Sequence, residues 1–191
     1  MNQPRHRSRS PAARASGFSL IEMLTTMSVL VVLLVVASPG LASLTSANAA
    51  SAAQSELLAA MALARGEAIK RGVQVGIAAG PAAVASSMMT TSGVGASAID
   101  FSGGWTVFVD ADGNGRFDAG EAIVRRQPAF TGNLAVIAPA GPSAIVFNSR
   151  GFLEPSTRIT VNVCSPAATK GYQVRVEPVG LADVAEIVGC P

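Results

Sequence analysis

The fold is decided by residues 18–39, which read FSLIEMLTTMSVLVVLLVVASP. The only charge in this stretch is Glu22, and residues 29–37 are wholly apolar. Because about 20 helical residues span a bilayer core of roughly 30 Å, the stretch predicts a transmembrane helix. Its many valines do not favour a strand, since a strand leaves its backbone groups unpaired in lipid.

The segment that precedes this stretch, residues 1–17, is basic and polar. It contains four arginines and no acid, which predicts that this end is cytoplasmic and that the chain after residue 39 is periplasmic. With those four arginines set aside from the 14 basic residues of the chain, ten remain against 12 acids. The rest of the chain is therefore not a basic, nucleic-acid-like surface. The single histidine, His6, also lies here, which excludes histidine-dependent triads and metal sites elsewhere.

Three interpretations of residues 1–39 compete. The segment is a secretory signal peptide cut near residues 40–42, a plain signal anchor, or a leader that is cut before an apolar helix that stays on the chain. Glu22 separates them, because a carboxylate near the middle of a spanning helix costs about 2.5–3.5 kcal/mol on insertion scales. A plain signal peptide has no use for such a charge, which usually has a partner and a function.

Residues 17–24, GFSLIEML, resemble the prepilin leader-peptidase motif of type IV pilins and type II secretion pseudopilins. This resemblance implies that a prepilin peptidase cuts after Gly17 and that Phe18 is then N-methylated. It also implies that Glu22 pairs with the terminal amine of a neighbouring subunit, and two charges that are each costly in lipid become tolerable when paired. Pro39 stands where pilin helices carry a proline.

The helical pattern is interrupted at residues 38–40 and resumes beyond them. A proline inside a helix removes one hydrogen bond, so a kink is expected there. Residues 47–71 are alanine-rich and favour a helix, and Gly72 is the predicted C-cap. Four residues at helical spacing predict the face that packs against a sheet: Leu57, Met61, Ala64 and Ala68.

Residues 63–72, LARGEAIKRG, look like the helix-to-strand segment of the GspH/FimT family, which runs close to LARSEAIKRG. Both resemblances together place the whole chain in that family, with the C-terminal third matching least well. They imply an α+β, pilin-like fold, in which a long N-terminal helix packs on an antiparallel β-rich domain. The expected divisions are a leader (1–17), a transmembrane helix (18–39), the periplasmic part of the helix (40–72) and the β-rich domain (73–191).

After Gly72 the sequence alternates with a period of two, which predicts short antiparallel strands. In residues 158–164 the inward side chains are Ile159, Val161 and Val163. Residues 80–102 are small and polar and are predicted to be a long loop. The predicted strands are 73–79, 105–110, 121–127, 134–138, 144–148, 158–164 and 172–177.

Residues 110–121, DADGNGRFDAGE, satisfy the EF-hand pattern of oxygen ligands around a glycine. Carboxylate and amide oxygens at this spacing suit Ca²⁺. The flanking segments are predicted strands instead of helices, so the alternative is a polar hairpin loop. The family resemblance supports the hairpin, and calcium stays a candidate cofactor. The five candidate ligands are Asp110, Asp112, Asn114, Asp118 and Glu121.

Cys164 and Cys190 are the only cysteines of the chain. An even pair in an exported domain predicts a disulfide, which would fix the end of the chain, and the alternative is two free thiols.

Some FimT-type proteins bind DNA through a C-terminal G-R-x-R motif. The matching place here is residues 180–183, GLAD, which contains no arginine. Lys170 and Arg175 are nearby but isolated, and DNA binding needs clustered cations. We therefore do not expect nucleic acid to be a partner. Arg150 and Gly151 match a family turn and are expected to be structural.

No residue pattern in the chain predicts catalysis. The resemblance implies a minor pseudopilin of the H type, a structural subunit of the bacterial type II secretion system in the inner membrane. Its partners would be other pseudopilins and the peptidase and methylase that process it. The alternatives are a FimT-like minor pilin of type IV pili, a membrane-anchored calcium-binding module, and a secreted β-protein that has lost a signal peptide.

Overall fold

The computed structural model describes residues 19–80, 98–139, 144–166, 168 and 170–189. The chain divides into two compact units, Met1–Pro39 and Gly40–Pro191. The predicted leader and the predicted cleavage pair, Gly17 and Phe18, lie outside the described residues.

A single helix, α1, runs from Leu20 to Arg71. The carbonyl oxygen of Ser19 accepts the amides of Glu22 and Met23 at 3.0 and 3.1 Å, which starts the helix. It ends at Gly72, whose φ of 69° is a left-handed conformation that favours glycine. The helix is continuous through residues 38–40, as the long helix implied by the family resemblance requires, and the kink expected at Pro39 stays a prediction. No helix in the described part of the chain combines the length and the apolar character that crossing a membrane requires.

Within the second unit, one stripe of α1 is fully buried. It contains all four residues that the helical spacing predicted, and small side chains in the stripe let the helix approach the sheets closely. The buried residues are Ala50, Ala53, Leu57, Ala60, Met61, Ala64 and Ala68.

Two antiparallel five-stranded sheets form the β-rich part. The first has the order β4-β3-β1-β6-β7 and the second the order β10-β9-β8-β5-β2. The strands of the first are β1 (Gln74–Ala79), β3 (Trp105–Asp110), β4 (Ile123–Gln127), β6 (Ala144–Phe147) and β7 (Leu153–Glu154). Those of the second are β2 (Ile99–Asp100), β5 (Ala135–Ala138), β8 (Ile159–Cys164), β9 (Lys170–Val176) and β10 (Ala182–Val188).

One hydrophobic core joins the helix stripe to the inner faces of both sheets. Trp105 is buried in this core, and its ring centroid lies 6.4 Å from that of Phe101 and 5.3 Å from that of Phe130. The predicted inward residues Ile159, Val161 and Val163 are buried in this core, which confirms the alternation of β8.

A second, smaller cluster covers the outer face of the first sheet. Phe117, from the loop after β3, packs edge-on against Phe108 with the ring centroids 5.4 Å apart. The cluster also contains Ala78, Ala144 and Val146. Both faces of β3 are buried, because the loop after β3 folds back over the outer face of the strand.

Three strands were not predicted. The two-residue strands β2 and β7 are too short to show a period. Strand β2 falls at the end of the predicted loop 80–102, of which residues 81–97 lie outside the described residues. Strand β10 is longer, but its side chains are mostly exposed and include Asp183 and Glu186. Because a strand exposed on both faces has no reason to alternate, the pattern gave no signal there.

Candidate functional site

The first candidate site is the assembly segment, which we define as residues 20–36 of α1. Every side chain of this segment is exposed to solvent in the isolated chain. Monomeric soluble proteins rarely expose so large an apolar surface, so this segment needs lipid or protein around it. Its exposed large apolar residues are Leu20, Ile21, Met23, Leu24, Met27, Val29, Leu30, Val31, Val32, Leu33, Leu34, Val35 and Val36.

Glu22 lies in the first turn of the assembly segment. A carboxylate is favoured there, because the unpaired amides at a helix N-terminus carry partial positive charge. Among the described residues, no Lys or Arg forms an ion pair with Glu22. Pro39 lies within α1, at the boundary of the two units. The pairing of Glu22 with a neighbour's terminal amine therefore stays a prediction.

The second candidate site is the acidic loop, residues 110–122, which joins β3 to β4. Asp110 is only 2 % exposed, and its two carboxylate oxygens accept the amides of Gly113 and Gly115 at 2.8 and 2.9 Å. Because each oxygen receives a charge-assisted hydrogen bond, the buried carboxylate is compensated by the loop backbone.

Glu121 closes the base of the acidic loop. One of its carboxylate oxygens accepts the amide of Ala111 at 2.9 Å, and the other accepts the amide of Asp118 at 2.8 Å. Across the loop, Asn114 Nδ2 donates to Asp112 at 2.7 Å and to Asp118 at 2.5 Å. All five predicted ligand residues therefore hold the loop in its turn, and the loop in turn places Phe117 on the sheet.

Three of the five predicted calcium ligands also converge. One carboxylate oxygen from each of Asp110, Asp112 and Glu121 lies within 4.8 Å of the others. The donor set is chemically suited to a hard cation, and each oxygen that accepts one amide keeps a second lone pair. Asp118 is not in this group. Calcium binding stays a prediction, beside the turn-closing role that the hydrogen bonds show.

The predicted disulfide and DNA sites lie near the end of the chain. Cys164 ends β8 and is 7 % exposed, whereas Cys190 lies outside the described residues, so their pairing stays a prediction. Lys170 bonds Glu186 at 2.8 Å and Arg175 bonds Asp183 at 2.7 Å. Lys170 and Arg175, the two cations considered for DNA binding, are therefore each paired with a carboxylate.

Sequence reasoning missed the contact between α1 and two turns. Arg65 Nε donates to the carbonyl oxygen of Gly151 at 3.1 Å. Gly180, in the turn between β9 and β10, has a φ of 78° and packs so closely on that carbonyl that a Cβ would overlap it. Arg65 belongs to the LARGEAIKRG motif and Gly151 to the predicted turn. The sequence therefore identified both motifs, but it did not predict that they contact each other.

A long helix that packs its C-terminal half on antiparallel sheets, with an exposed apolar N-terminal half, defines the pilin-like class of proteins. A family model described as type II transport protein GspH matches residues 53–180. The chain belongs to the GspH family, which consists of structural pilin and pseudopilin subunits that assemble with other pilins.

Solved structures show the same fold. Two crystal structures of the type IV minor pilin FimU of Pseudomonas aeruginosa (strain PAO1), in space groups P65 and P21, are similar to this chain. The first has a TM-score of 0.53 at 22 % identity, over 71 % of this chain and 91 % of FimU. The second has a TM-score of 0.56 at 21 % identity, over 74 % and 92 %. No curated protein matches the sequence.

Proposed function

We propose that this chain is a minor pseudopilin of the H type, a structural subunit of the periplasmic filament of a type II secretion system. The observation that carries the proposal is the exposed apolar assembly segment on the same helix that forms the core of the β-rich unit. The family description, a type II transport protein, supports secretion over pilus formation.

In this proposal the chain is processed before it assembles. A prepilin peptidase cuts after Gly17, a methylase modifies Phe18, and the apolar segment holds the chain in the inner membrane with its β-rich unit in the periplasm. Glu22 then meets the terminal amine of a neighbouring subunit. Opposite charges desolvated together attract strongly, so this pair would fix the axial position of the subunit. The chain itself performs no catalysis.

The role of Glu22 is tested by incorporation of the full chain into filaments in the bacterium. Glu22→Gln removes the charge but keeps the shape, and we expect it to abolish incorporation. Glu22→Asp keeps the charge and serves as the matched control, which should incorporate in part. Normal incorporation of Glu22→Gln would overturn the pairing. N-terminal mass analysis of the mature chain should show N-methylphenylalanine at Phe18; a chain that begins near Ser43 would instead identify a secreted protein.

A FimT-like minor pilin is the second candidate, and the similarity to FimU favours it. Deletion of the chain separates the two. Loss of exported enzymes from the medium with surface pili unchanged identifies secretion, and loss of pili with export unchanged identifies the pilus.

A further inference from the structure

Asn114, in the acidic loop, is the only asparagine of the chain that precedes a glycine. In such a pair the backbone nitrogen of the glycine can attack the side-chain carbonyl carbon of the asparagine, because glycine has no side chain to obstruct the approach. The new carbon–nitrogen bond closes a succinimide ring, and the side-chain nitrogen leaves as ammonia with the proton of the glycine amide. Water then opens the ring to an aspartate or an isoaspartate. Asn114 and Gly115 therefore form a chemically labile pair.

The attacking nitrogen of this pair is held by a carboxylate. The amide N–H of Gly115 donates to Asp110 at 2.9 Å, and Asp110 is almost fully buried. A backbone nitrogen attacks only after it loses its proton, and a carboxylate is too weak a base to take that proton. The negative charge of Asp110 also opposes negative charge on the nitrogen beside it. The folded loop therefore suppresses the nucleophile.

Both ends of the Asn114 side-chain amide are bound as well. Its Nδ2 donates to Asp112 at 2.7 Å and to Asp118 at 2.5 Å. Its Oδ1 accepts the amide of Arg116 at 2.7 Å. These partners fix the orientation of the side chain, because a carboxylate only accepts and a backbone amide only donates. Loss of ammonia would break both bonds to the carboxylates, so the folded loop also retains the leaving group.

These hydrogen bonds, and not burial, are what protect the pair. Asn114 is exposed and Gly115 is only half-buried, so water reaches both residues. Loops open locally at a lower free energy than the whole domain. The reaction should therefore proceed when the acidic loop opens, while the rest of the fold stays intact.

We propose that Asn114 is a deamidation site that the acidic loop protects, and that the modified loop no longer closes as described above. A carboxylate formed at position 114 cannot donate to Asp112 or Asp118, and it adds a negative charge beside theirs. Repulsion then replaces two hydrogen bonds. Because the lost ammonia is not restored, one opening event alters the loop permanently. The modification needs water alone and no partner protein.

The first test compares the full chain in detergent micelles with a synthetic peptide of residues 110–121, both at mildly alkaline pH with a chelator. Mass spectrometry of proteolytic fragments follows the replacement of the side-chain amide by a carboxyl group. Asn114 should react at least about tenfold more slowly in the full chain than in the peptide, because charge-assisted hydrogen bonds oppose opening. Asn133, which is exposed and precedes leucine, is the internal control and should stay unmodified. Equal rates at Asn114 in chain and peptide would overturn the protection.

Variants of the protecting carboxylates form the second test. Asp110→Asn should accelerate the reaction of Asn114 about tenfold to a hundredfold, because it weakens the hold on Gly115. Fluorescence of the buried Trp105 checks that the variant is folded. Asp118→Asn removes one bond to the side-chain amide and should give a smaller acceleration, which keeps the test available if Asp110→Asn does not fold. A folded variant that reacts at the rate of the parent chain contradicts the role of its carboxylate.

The altered state of the loop is tested with Asn114→Asp, which carries the charge of the product. Hydrogen exchange of the Gly113 and Gly115 amides, which donate to Asp110, should be at least about tenfold faster than in the parent chain. Asn114→Ser removes the amide without adding a charge and should have a smaller effect. Exchange in Asn114→Asp at the parent rate would show that the modified loop still closes, which would overturn that part of the proposal.

Discussion

Arg65 and Gly151 are joined by a hydrogen bond of 3.1 Å from the guanidinium Nε to the carbonyl oxygen, across 86 positions of the chain. The contact connects α1 to the turn between β6 and β7, and Gly180 packs against the same carbonyl. One arginine therefore holds together three elements that are distant in sequence.

Replacing Arg65 should destabilise the β-rich unit. We expect Arg65→Met to lower the free energy of unfolding by about 1.5–3 kcal/mol, because it leaves a carbonyl without its charged donor. Urea unfolding of the full chain measures the change. Arg71→Met is the matched control, since Arg71 bonds only Glu67 on the exposed helix end, and it should cost less than about 1 kcal/mol. Equal losses would remove the special role of Arg65.

Gly76 leaves room for the ring of Phe108. A Cβ at Gly76 would lie 2.5 Å from that ring, so Gly76→Ala should cost about 1–3 kcal/mol through overpacking. Gly66 lies in α1 with no atom within 4 Å of its Cβ position, and Gly66→Ala should instead stabilise by about 0.5–1 kcal/mol. Thermal unfolding compares the two. A second substitution, Phe108→Leu, should restore part of the loss at Gly76; if it does not, the ring is not the cause.

The acidic loop should depend on the charge of Asp110 even without calcium. Asp110→Asn keeps the size of the side chain but replaces one acceptor oxygen by a donor that faces an amide. We expect a loss of about 1.5–3 kcal/mol by urea unfolding in the presence of a chelator. The carboxylate of Asp118 accepts a hydrogen bond from the Asn114 side chain and none from the loop backbone. Asp118→Asn should therefore lower the free energy of unfolding by less. Stability unchanged by Asp110→Asn would show that the hydrogen bonds of this carboxylate do not hold the loop.

The calcium hypothesis makes a separate prediction for the same loop. Titration of the full chain with millimolar Ca²⁺ should release heat and raise the unfolding temperature, because an ion that binds only the folded chain stabilises it. Glu121→Gln should abolish both effects. Absence of binding heat in the parent chain would leave the loop a purely structural hairpin.

Two ion pairs should affect the free energy of unfolding at opposite ends of the pH range. The hydrogen bond from Arg71 lowers the pKa of Glu67. The stabilising contribution of this pair to the free energy of unfolding is therefore present above the ordinary value of 4.5 and is lost as the pH falls. The hydrogen bond to Glu186 raises the pKa of Lys170. The contribution of this second pair to the free energy of unfolding is therefore present below pH 10.5 and is lost as the pH rises through the shifted pKa. At low salt, Glu67→Gln should flatten the acid side and Lys170→Met the alkaline side. Unaltered profiles would show that solvent screens both pairs.

The sequence by itself determined the class of the molecule. The apolar residues 18–39 with Glu22, the helical spacing from Leu57 to Ala68, and the alternation of β8 are local patterns, and each follows from the period of one element. These patterns were sufficient to predict a long helix that packs on antiparallel strands and to identify the family. The spacing of residues 110–121 also named the candidate calcium ligands of the acidic loop, because such a motif lies in consecutive residues.

Only the tertiary structure decided which distant residues meet. The bond between Arg65 and Gly151 and the packing of Phe117 on Phe108 depend on where separate elements cross. No periodicity records such contacts, because each partner looks ordinary in its own segment. Burial on both faces of β3 is also set by the loop that covers it. A local pattern reports how an element presents its faces, and the physical environment of each face is fixed only when the chain has folded.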